Sequence, residues 1–187
     1  KDLAICSNGL KFKNINKTYI IKKLKKRIKR LQRCVSRKYK VNKSFNETNN
    51  IKKINIKIKL NHLKIKNIKL NHIHQATNTI IKNLPNKIVI EDLNINGMMK
   101  NRRLSKALQE QNLFEFLRQI QYKAEWNGIE VLKVPRFYPS SKTCSCCGNI
   151  KKDLKLSDRT YKCNVCGLVI DRDLNASINL KNYNSKI

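Results

Sequence analysis

Two pairs of cysteines near the C-terminal end constrain this chain more than any other feature of its sequence. Cys144 and Cys147 form one Cys-x-x-Cys pair, Cys163 and Cys166 form a second, and fifteen residues separate the two pairs. This spacing is typical of a zinc ribbon, in which each pair lies on a tight turn and the four sulfurs form a tetrahedron. Four sulfur ligands leave no open position for a water molecule, so we expect a structural Zn²⁺ site.

The residues around the two pairs support this interpretation. Gly148 and Gly167 each follow the second cysteine of a pair, where the chain turns back and a residue without a Cβ is favoured. Cys146 lies inside the first pair and has no partner at a suitable spacing. Disulfides are the competing interpretation, but the chain has an odd total of seven cysteines and no signal-peptide pattern. Thiolates in a reducing compartment are therefore expected.

The charge of the chain predicts its partner. Lys and Arg number 42 against 12 Asp and Glu, which gives a formal net charge of +30. Such a chain repels itself unless a polyanion neutralises it, and nucleic acid is the expected polyanion. A basic protein on a membrane surface is the alternative, although the apolar stretches are too short to span a bilayer. We expect no membrane partner and a cytoplasmic or nucleoid-associated location.

The first part of the chain predicts a short hairpin and two long antiparallel helices. Asn8-Gly9 supplies the positive φ angles of a tight turn between two short strands. From Thr18, a three-four spacing of apolar residues predicts an amphipathic helix: Ile21, Leu24, Ile28, Leu31 and Val35. A second helical pattern runs from about residue 51 to 84, with one predicted apolar stripe: Ile56, Leu60, Leu63, Leu70, Ile81 and Leu84. Many of its residues are β-branched, so a strand stays open as the alternative over residues 51–60.

The next part alternates strands with a helix. Residues 88–90 predict a buried strand that ends on Glu91 and Asp92, residues 105–128 predict one helix, and residues 129–135 predict a second strand. This alternation indicates an α/β fold with acidic residues at strand ends. Phe116 and Trp126 are expected in its core.

Three acids are candidate catalytic residues. Glu91 ends an apolar strand, and Asp171 and Asp173 follow the apolar residues after the second cysteine pair. Carboxylates at the ends of neighbouring strands can hold two Mg²⁺ ions about 3.5–4 Å apart. The alternative for each is a surface charge, or a helix N-cap in the case of Asp171 or Asp173.

Long segments of the chain resemble a known family. "VIEDLNINGMMKNRRLSKAL" and the stretch from "FLRQIQYKAEWNGIEVLKVPRFYPSSKTCSCCGN" to "LVIDRDLNASINL" are similar to the C-terminal part of TnpB proteins. These are transposon-encoded RNA-guided nucleases, also called OrfB-type transposases, and are related to type V CRISPR effectors. The resemblance implies an RNase H-like, RuvC-type core with two insertions. Its expected parts are a core over residues 1–135 with a helical hairpin at about 17–84, a zinc ribbon over 136–170, and a final RuvC motif over 171–187.

The resemblance also implies roles for individual acids. By motif, Glu91 is the second of three catalytic carboxylates, and Asp173 is the third, with Asp171 as the fallback. Relatives carry the first in a Gly-Ile-Asp-x-Gly strand just upstream of the segment that matches "KDLAI", and Asp2 does not replace it. We therefore expect this sequence to be the tail of a longer protein and to be inactive alone, so whether it is an enzyme stays open at this point.

The implied partners are DNA and a guide RNA. Exposed basic side chains are expected to face phosphate: Lys26, Arg30, Arg33, Arg37, Arg102, Arg103 and Arg136. The main hypothesis is the nuclease portion of an RNA-guided DNA endonuclease. The alternative is a transposon-derived zinc-ribbon module that binds DNA or RNA without chemistry. A zinc-ribbon ribosomal or transcription protein would leave the acidic motifs unexplained.

Overall fold

The structure is a computed structural model that describes residues 2–41, 48–155 and 157–183 of the 187-residue chain. It divides into two compact units. The helical unit comprises Asn14–Gln75, and the core unit comprises Lys1–Lys13 together with Ala76–Ile187. The described elements follow in this order: β1 (Ala4–Ile5), β2 (Lys11–Phe12), a 3₁₀ turn (Ile15–Lys17), α1 (Tyr19–Val41), α2 (Asn49–Lys82), β3 (Lys87–Glu91), α3 (Ile95–Met99), α4 (Arg102–Gln111), α5 (Leu113–Trp126), β4 (Glu130–Val134), β5 (Thr160–Lys162), β6 (Val169–Asp171) and α6 (Arg172–Lys181).

The helical unit is held together by an apolar seam between α1 and α2. Ile21, Leu24 and Ile28 of α1 are buried and pack with Ile65 of α2. The amphipathic helix predicted from Thr18 is therefore confirmed. Residues 51–60 are helical as well, because burial against α1 outweighs the small helix penalty of their β-branched side chains.

The predicted apolar stripe of residues 51–84 is wrong at four of its six positions. Ile56, Leu60, Leu63 and Leu84 are all more than half exposed, whereas Ile81 is buried as predicted. The other buried apolar positions of α2 are Ile51, Ile65, Ile73 and Ala76, which were not predicted. Isoleucine and leucine occur on several faces of this helix, so its sequence alone does not select the buried one. Contact with α1 selects the face that carries Ile65.

The core unit contains a parallel pair of strands. β3 pairs with β4 in a register that places Ile88 opposite Val131 and Glu91 opposite Val134. A parallel pair requires a crossover connection, and α3, α4 and α5 provide it. Ala124 of α5 packs with Ile81 and Ile129 on this connection. Both predicted strands are confirmed, but residues 88–90 are half-buried and not buried as expected.

Two details of the crossover differ from the sequence-based expectation. The single helix expected over residues 105–128 is broken at Asn112, whose backbone is left-handed with φ +52°. Asparagine tolerates this conformation better than most residues. Phe116 is buried as predicted, but Trp126 is 77% exposed because it lies at the end of α5 on the face away from Ala124.

Two antiparallel pairs complete the described strands. β1 pairs with β2 as the predicted hairpin, but of the two predicted turn residues Gly9 alone has a positive φ, +85°, and Asn8 does not. β5 pairs with β6 with Tyr161 opposite Ile170. Helix α6 follows β6 directly and packs against β1 and β3. Among the described helices, none has the length and apolar character needed to cross a bilayer.

Candidate functional site

The four cysteines of the two Cys-x-x-Cys pairs come together as predicted. The sulfurs of Cys144, Cys147, Cys163 and Cys166 all lie within 4.8 Å of one another. The Cys144–Cys166 and Cys147–Cys163 sulfur pairs are each separated by 3.6 Å. A tetrahedral zinc site with Zn–S bonds of about 2.3 Å separates its sulfurs by about 3.8 Å, so these donors fit the ion. Cys146 is exposed and lies outside the group.

The backbone turns around the cysteines have the geometry that the glycines predicted. Gly148 has φ +74° and Gly167 has φ +73°, a conformation that side chains with a Cβ rarely adopt. The amide of Gly148 donates to the carbonyl of Cys144 at 3.0 Å, which closes the first turn. These turns direct both sulfurs of each pair to one point.

The thiols are unequal in acidity. Backbone N–H groups of Cys166 and Val165 lower the pKa of Cys163 to about 6. The pKa of Cys166 is raised to about 12, because burial and the neighbouring thiols outweigh a hydrogen bond from the amide of Leu168 that lowers it. Four negative sulfurs at these separations repel one another, so a divalent cation is needed for all four to ionise together.

A small core packs directly against the cysteines. Tyr161 is fully buried beside Cys144 and Cys163, and Leu154, Leu168 and Ile170 cover it. Its hydroxyl donates to the carbonyl of Lys142 at 3.2 Å. One ring and a few aliphatic side chains bury little apolar surface, so this region is of the kind that a metal stabilises.

Glu91 lies at the carboxyl end of β3, as predicted. Its Oε1 accepts a hydrogen bond of 2.6 Å from the hydroxyl of Ser140, which is buried. The neighbouring Asp92 is paired with Arg136 at 2.9 Å. The carboxylate of Glu91 is therefore held by a neutral donor. The charge of Asp92 is balanced by Arg136.

Asp171 and Asp173 occupy different positions at the start of α6. Asp171 is the N-cap: its Oδ1 accepts from the amides of Asp173 and Leu174 at 2.9 and 3.1 Å. Burial raises its pKa, but these two amides and Lys11, 3.4 Å from its Oδ2, outweigh burial and lower the pKa overall. Asp173 makes a looser contact, 3.6 Å, with Arg172 and has a side chain that is 40% exposed.

Two buried asparagines of α6 are structural residues that the sequence did not reveal. Asn179 donates to the carbonyls of Ser140 and Thr143, both at 2.7 Å. Asn175 donates to the carbonyl of Thr143 at 2.7 Å and accepts from the amide of Ser145 at 3.0 Å. The sequence signal that could have found them is the spacing of four residues between the two asparagines, which places both on one face of α6. That face fixes the segment between Glu91's partner Ser140 and the first cysteine pair.

The structure places β3, which ends at Glu91, against α6, which begins just after Asp171. Among the residues described, however, the cysteines are the one group of three or more potential metal ligands gathered within 4.8 Å. The predicted basic residues are all exposed: Lys26, Arg30, Arg33 and Arg37 on α1, Arg102 and Arg103 in the first turn of α4, and Arg136 after β4.

Known proteins are similar to this chain in sequence. Residues 114–180 match the family described as Cas12f1-like, TNB domain. InsQ of Escherichia coli (strain K12), provisionally named an RNA-guided DNA endonuclease, is 34% identical over 193 residues, covering 95% of this chain and 45% of InsQ. A protein of Streptomyces pristinaespiralis with the same provisional name is 33% identical over 154 residues, covering 82% of this chain and 36% of that protein.

The fold itself is found in solved structures. A Cas12f1–sgRNA–target DNA complex matches with a TM-score of 0.60 at 21% identity, over 92% of this chain and 43% of that one. A CRISPR-Cas12f ternary complex matches with a TM-score of 0.62 at 22% identity, over 92% of this chain and 34% of that one.

The mixed α/β fold is thus similar to that of solved Cas12f proteins, and the four cysteines form a candidate structural metal centre. By sequence, the chain is similar to proteins named RNA-guided DNA endonuclease and to a TnpB-like protein of Acanthamoeba polyphaga mimivirus, 33% identical over 69% of this chain and 25% of that protein. The resemblance to TnpB proteins is therefore confirmed. The chain spans less than half the length of these first relatives.

Proposed function

We propose that this chain is the nuclease portion of an RNA-guided DNA endonuclease with a RuvC-type core. The core consists of residues 1–135 and 171–187, interrupted by the helical hairpin at about 17–84 and the zinc ribbon at 136–170. The observation that carries the proposal is the packing of β3, which ends at Glu91, against α6, whose first turn carries Asp173. The names of the sequence relatives supply the reaction class.

In this proposal, Glu91 and Asp173 provide oxygen ligands for Mg²⁺. Two Mg²⁺ ions, when bound, supply a water nucleophile and stabilise the leaving oxygen of a phosphodiester. Ser140 orients the carboxylate of Glu91 through its hydroxyl. Asp171 is the less suitable ligand because one of its oxygens already caps α6 and the other lies beside Lys11.

The four cysteines hold Zn²⁺ in the same proposal. They fix the ribbon beside α6 and take no part in the reaction. Guide RNA and DNA are the proposed partners, because the solved Cas12f1 structure is a complex with an sgRNA and target DNA. The exposed side chains Lys26, Arg30, Arg33 and Arg37 recur along one face of α1 and supply contacts to phosphate. This activity places the protein with the nucleoid.

Metal binding by the carboxylates is the direct test. We would titrate Mn²⁺, a stand-in for Mg²⁺, into the zinc-loaded chain by calorimetry and compare Glu91→Gln and Asp173→Asn with Asp153→Asn, an exposed control in the ribbon. Loss of a residue that only supports a ligand lowers metal affinity about 10–100-fold. Glu91→Gln and Asp173→Asn each remove a ligand itself, so each should lower the Mn²⁺ affinity by more than that. An Mn²⁺ affinity that is the same in all variants would refute the site.

A nucleic-acid-binding module without chemistry is the second candidate. It is favoured by the net charge of +30 and by the absence, among the described residues, of a carboxylate group as compact as that of the cysteines. Under this function, Glu91→Gln and Asp173→Asn change neither the affinity of the chain for RNA nor its affinity for Mn²⁺, whereas a nuclease site requires that both substitutions weaken Mn²⁺ binding.

A further inference from the structure

The segment that joins β4 to the first cysteine pair is a rigid turn. The amide of Tyr138 donates to the carbonyl of Pro135 at 3.0 Å, and the amide of Ser140 donates to the carbonyl of Tyr138 at 2.8 Å. Glu91 lies opposite Val134 in the strand pair. The turn starts at Pro135, the next residue along the chain.

Three side chains of the turn are attached to the rest of the core unit. Arg136 pairs with Asp92 at 2.9 Å, and the hydroxyl of Ser140 donates to Glu91 at 2.6 Å. The ring of Tyr138 packs edge-on against Tyr183 with centroids 5.1 Å apart. The turn is thereby fixed on both sides of residue 137.

Phe137 is the exception in this turn. Its side chain is 93% exposed, more than any other large apolar side chain among those described. A phenylalanine normally gains free energy from burial. Its neighbours Arg136, Tyr138 and Ser140 are fixed by an ion pair, a ring contact and a hydrogen bond, while the ring of Phe137 itself lies in water.

The surroundings of Phe137 decide what covers it. Lys133, Arg136 and Lys142 are exposed and lie within five residues of Phe137 in sequence, in a chain of net charge +30. Basic side chains beside an exposed aromatic ring are the combination that binds single-stranded nucleic acid, with phosphates on the cations and a base stacked on the ring. A duplex cannot offer the face of a base to this ring, because its bases are already stacked.

We propose that Phe137 is a stacking platform for one unpaired base of single-stranded nucleic acid and positions that strand at the Glu91 edge of the sheet. The inference deepens the proposed function and rests on it for the role of the strand as substrate. Phe137 touches the base and not the reacting phosphate, so it is a positioning residue. Stacking is tolerant of base identity, since every base has a π face.

Strand binding by variants of the zinc-loaded chain tests this proposal. The probe is a fluorescein-labelled 12-nucleotide single strand, followed by anisotropy at fixed salt. Phe137→Ala should weaken binding about 5- to 160-fold, the range expected for loss of one stacked base. Phe137→Trp should bind at least as tightly as the unsubstituted chain. Phe137→Leu should resemble Phe137→Ala, because leucine lacks the aromatic ring even though it keeps apolar surface.

Trp126→Ala is the matched control. Trp126 is also an exposed aromatic residue, 77% accessible. It ends α5 four residues before β4 begins at Glu130, so it enters the strand pair at the end away from Glu91. Its removal should change the affinity for the strand less than twofold. Equal losses from Trp126→Ala and Phe137→Ala would show a general loss of apolar surface and would overturn the proposal.

Two further probes separate stacking from phosphate contact. The effect of Phe137→Ala should disappear on an abasic strand and on a duplex of the same length, and the slope of log affinity against log salt should stay the same. If Phe137→Ala binds the strand normally and instead loses self-association in sedimentation, the ring contacts protein and the proposal is wrong.

The Mn²⁺ titration and the strand-binding assay fail independently, so they test the nuclease site and the stacking site separately. If the Mn²⁺ titration shows no dependence on Glu91 or Asp173 while Phe137→Ala still weakens strand binding, the nuclease proposal fails and the stacking site stands. If Mn²⁺ binds as expected and Phe137→Ala has no effect, only the stacking site fails.

Discussion

Replacing the buried Asn175 should destabilise the core unit in a way that depends on which half of its amide is lost. Asn175 is fully buried. Asn175→Ala removes the donor to the carbonyl of Thr143 and the acceptor for the amide of Ser145. Thr143 keeps its bond from Asn179, so that side costs about 1 kcal/mol. The amide of Ser145 loses its side-chain acceptor, which costs about 1–3 kcal/mol, and the total is about 2–4 kcal/mol.

Asn175→Asp separates the two contributions. The introduced carboxyl still accepts from Ser145, but when ionised it places a negative oxygen against the carbonyl of Thr143. Burial and this contact raise its pKa in the folded state above its unfolded value. Protonation therefore restores the donor, and the stability of the variant rises as the pH falls from 7 toward the unfolded pKa of about 3.9.

The assay is urea unfolding of the zinc-loaded chain at pH 7 and pH 5, with Asn182→Ala as control. Asn182 is exposed at the end of the same helix, so its replacement should change the free energy of unfolding by less than about 0.5 kcal/mol. Two results would refute the reasoning: a cost for Asn175→Ala no larger than that of the control, or a cost for Asn175→Asp that does not change with pH.

Three further predictions concern the metal, a buried lysine and the cap of α6. Cys163→Ser should abolish stoichiometric zinc binding and melt the ribbon, a loss on the order of 10 kcal/mol, whereas Cys146→Ser should keep the zinc, as measured by atomic absorption. Burial lowers the pKa of Lys123, whose Nζ donates to Thr77 and Asn78, so the parent chain should gain stability relative to Lys123→Met in urea unfolding as the pH rises toward the ordinary pKa of lysine. In thermal unfolding, Asp171→Ala should cost about 1 kcal/mol, and Asp171→Asn, which keeps a capping oxygen, about a few tenths of a kcal/mol. The cost of Asp171→Ala should disappear when the pH falls below the lowered pKa of Asp171, because protonation removes the stabilising charge from the unsubstituted chain.

The features that the sequence predicted correctly depend on neighbours along the chain. The cysteine group follows from two short turns, each closed by a glycine with positive φ. The apolar period of α1 and the apolar burst before Glu91 likewise predict their elements without knowledge of the fold.

The errors occurred where contacts distant in sequence decide the structure. α2 carries apolar residues on several faces, and packing against α1 buries Ile65 while Leu60 and Leu63 stay exposed. Trp126 was placed in the core by its residue type, but its position at the end of α5 leaves it in water. Helical spacing continues through Asn112, so periodicity could not show the break there.

The candidate site shows the same division. The sequence placed Glu91 at a strand end and offered an N-cap as the alternative role for Asp171 or Asp173. The structure assigns the cap to Asp171. No local pattern could show that Ser140 donates to Glu91, because the two residues are 49 positions apart. The catalytic roles of the acids stay predictions until metal binding is measured.

The hydrogen bonds around Ser140 connect the two metal chemistries proposed for this chain. Asn179 of α6 holds the carbonyl of Ser140, and the hydroxyl of Ser140 holds Glu91. Asn175, on the same face of α6, holds the amide of Ser145 beside the first cysteine pair. One helix face therefore positions both a carboxylate that would bind Mg²⁺ and a turn that would bind Zn²⁺. Because Ser140, Asn175 and Asn179 are buried, displacing the turn leaves polar groups of these residues unsatisfied, which makes the position of Glu91 dependent on an intact ribbon.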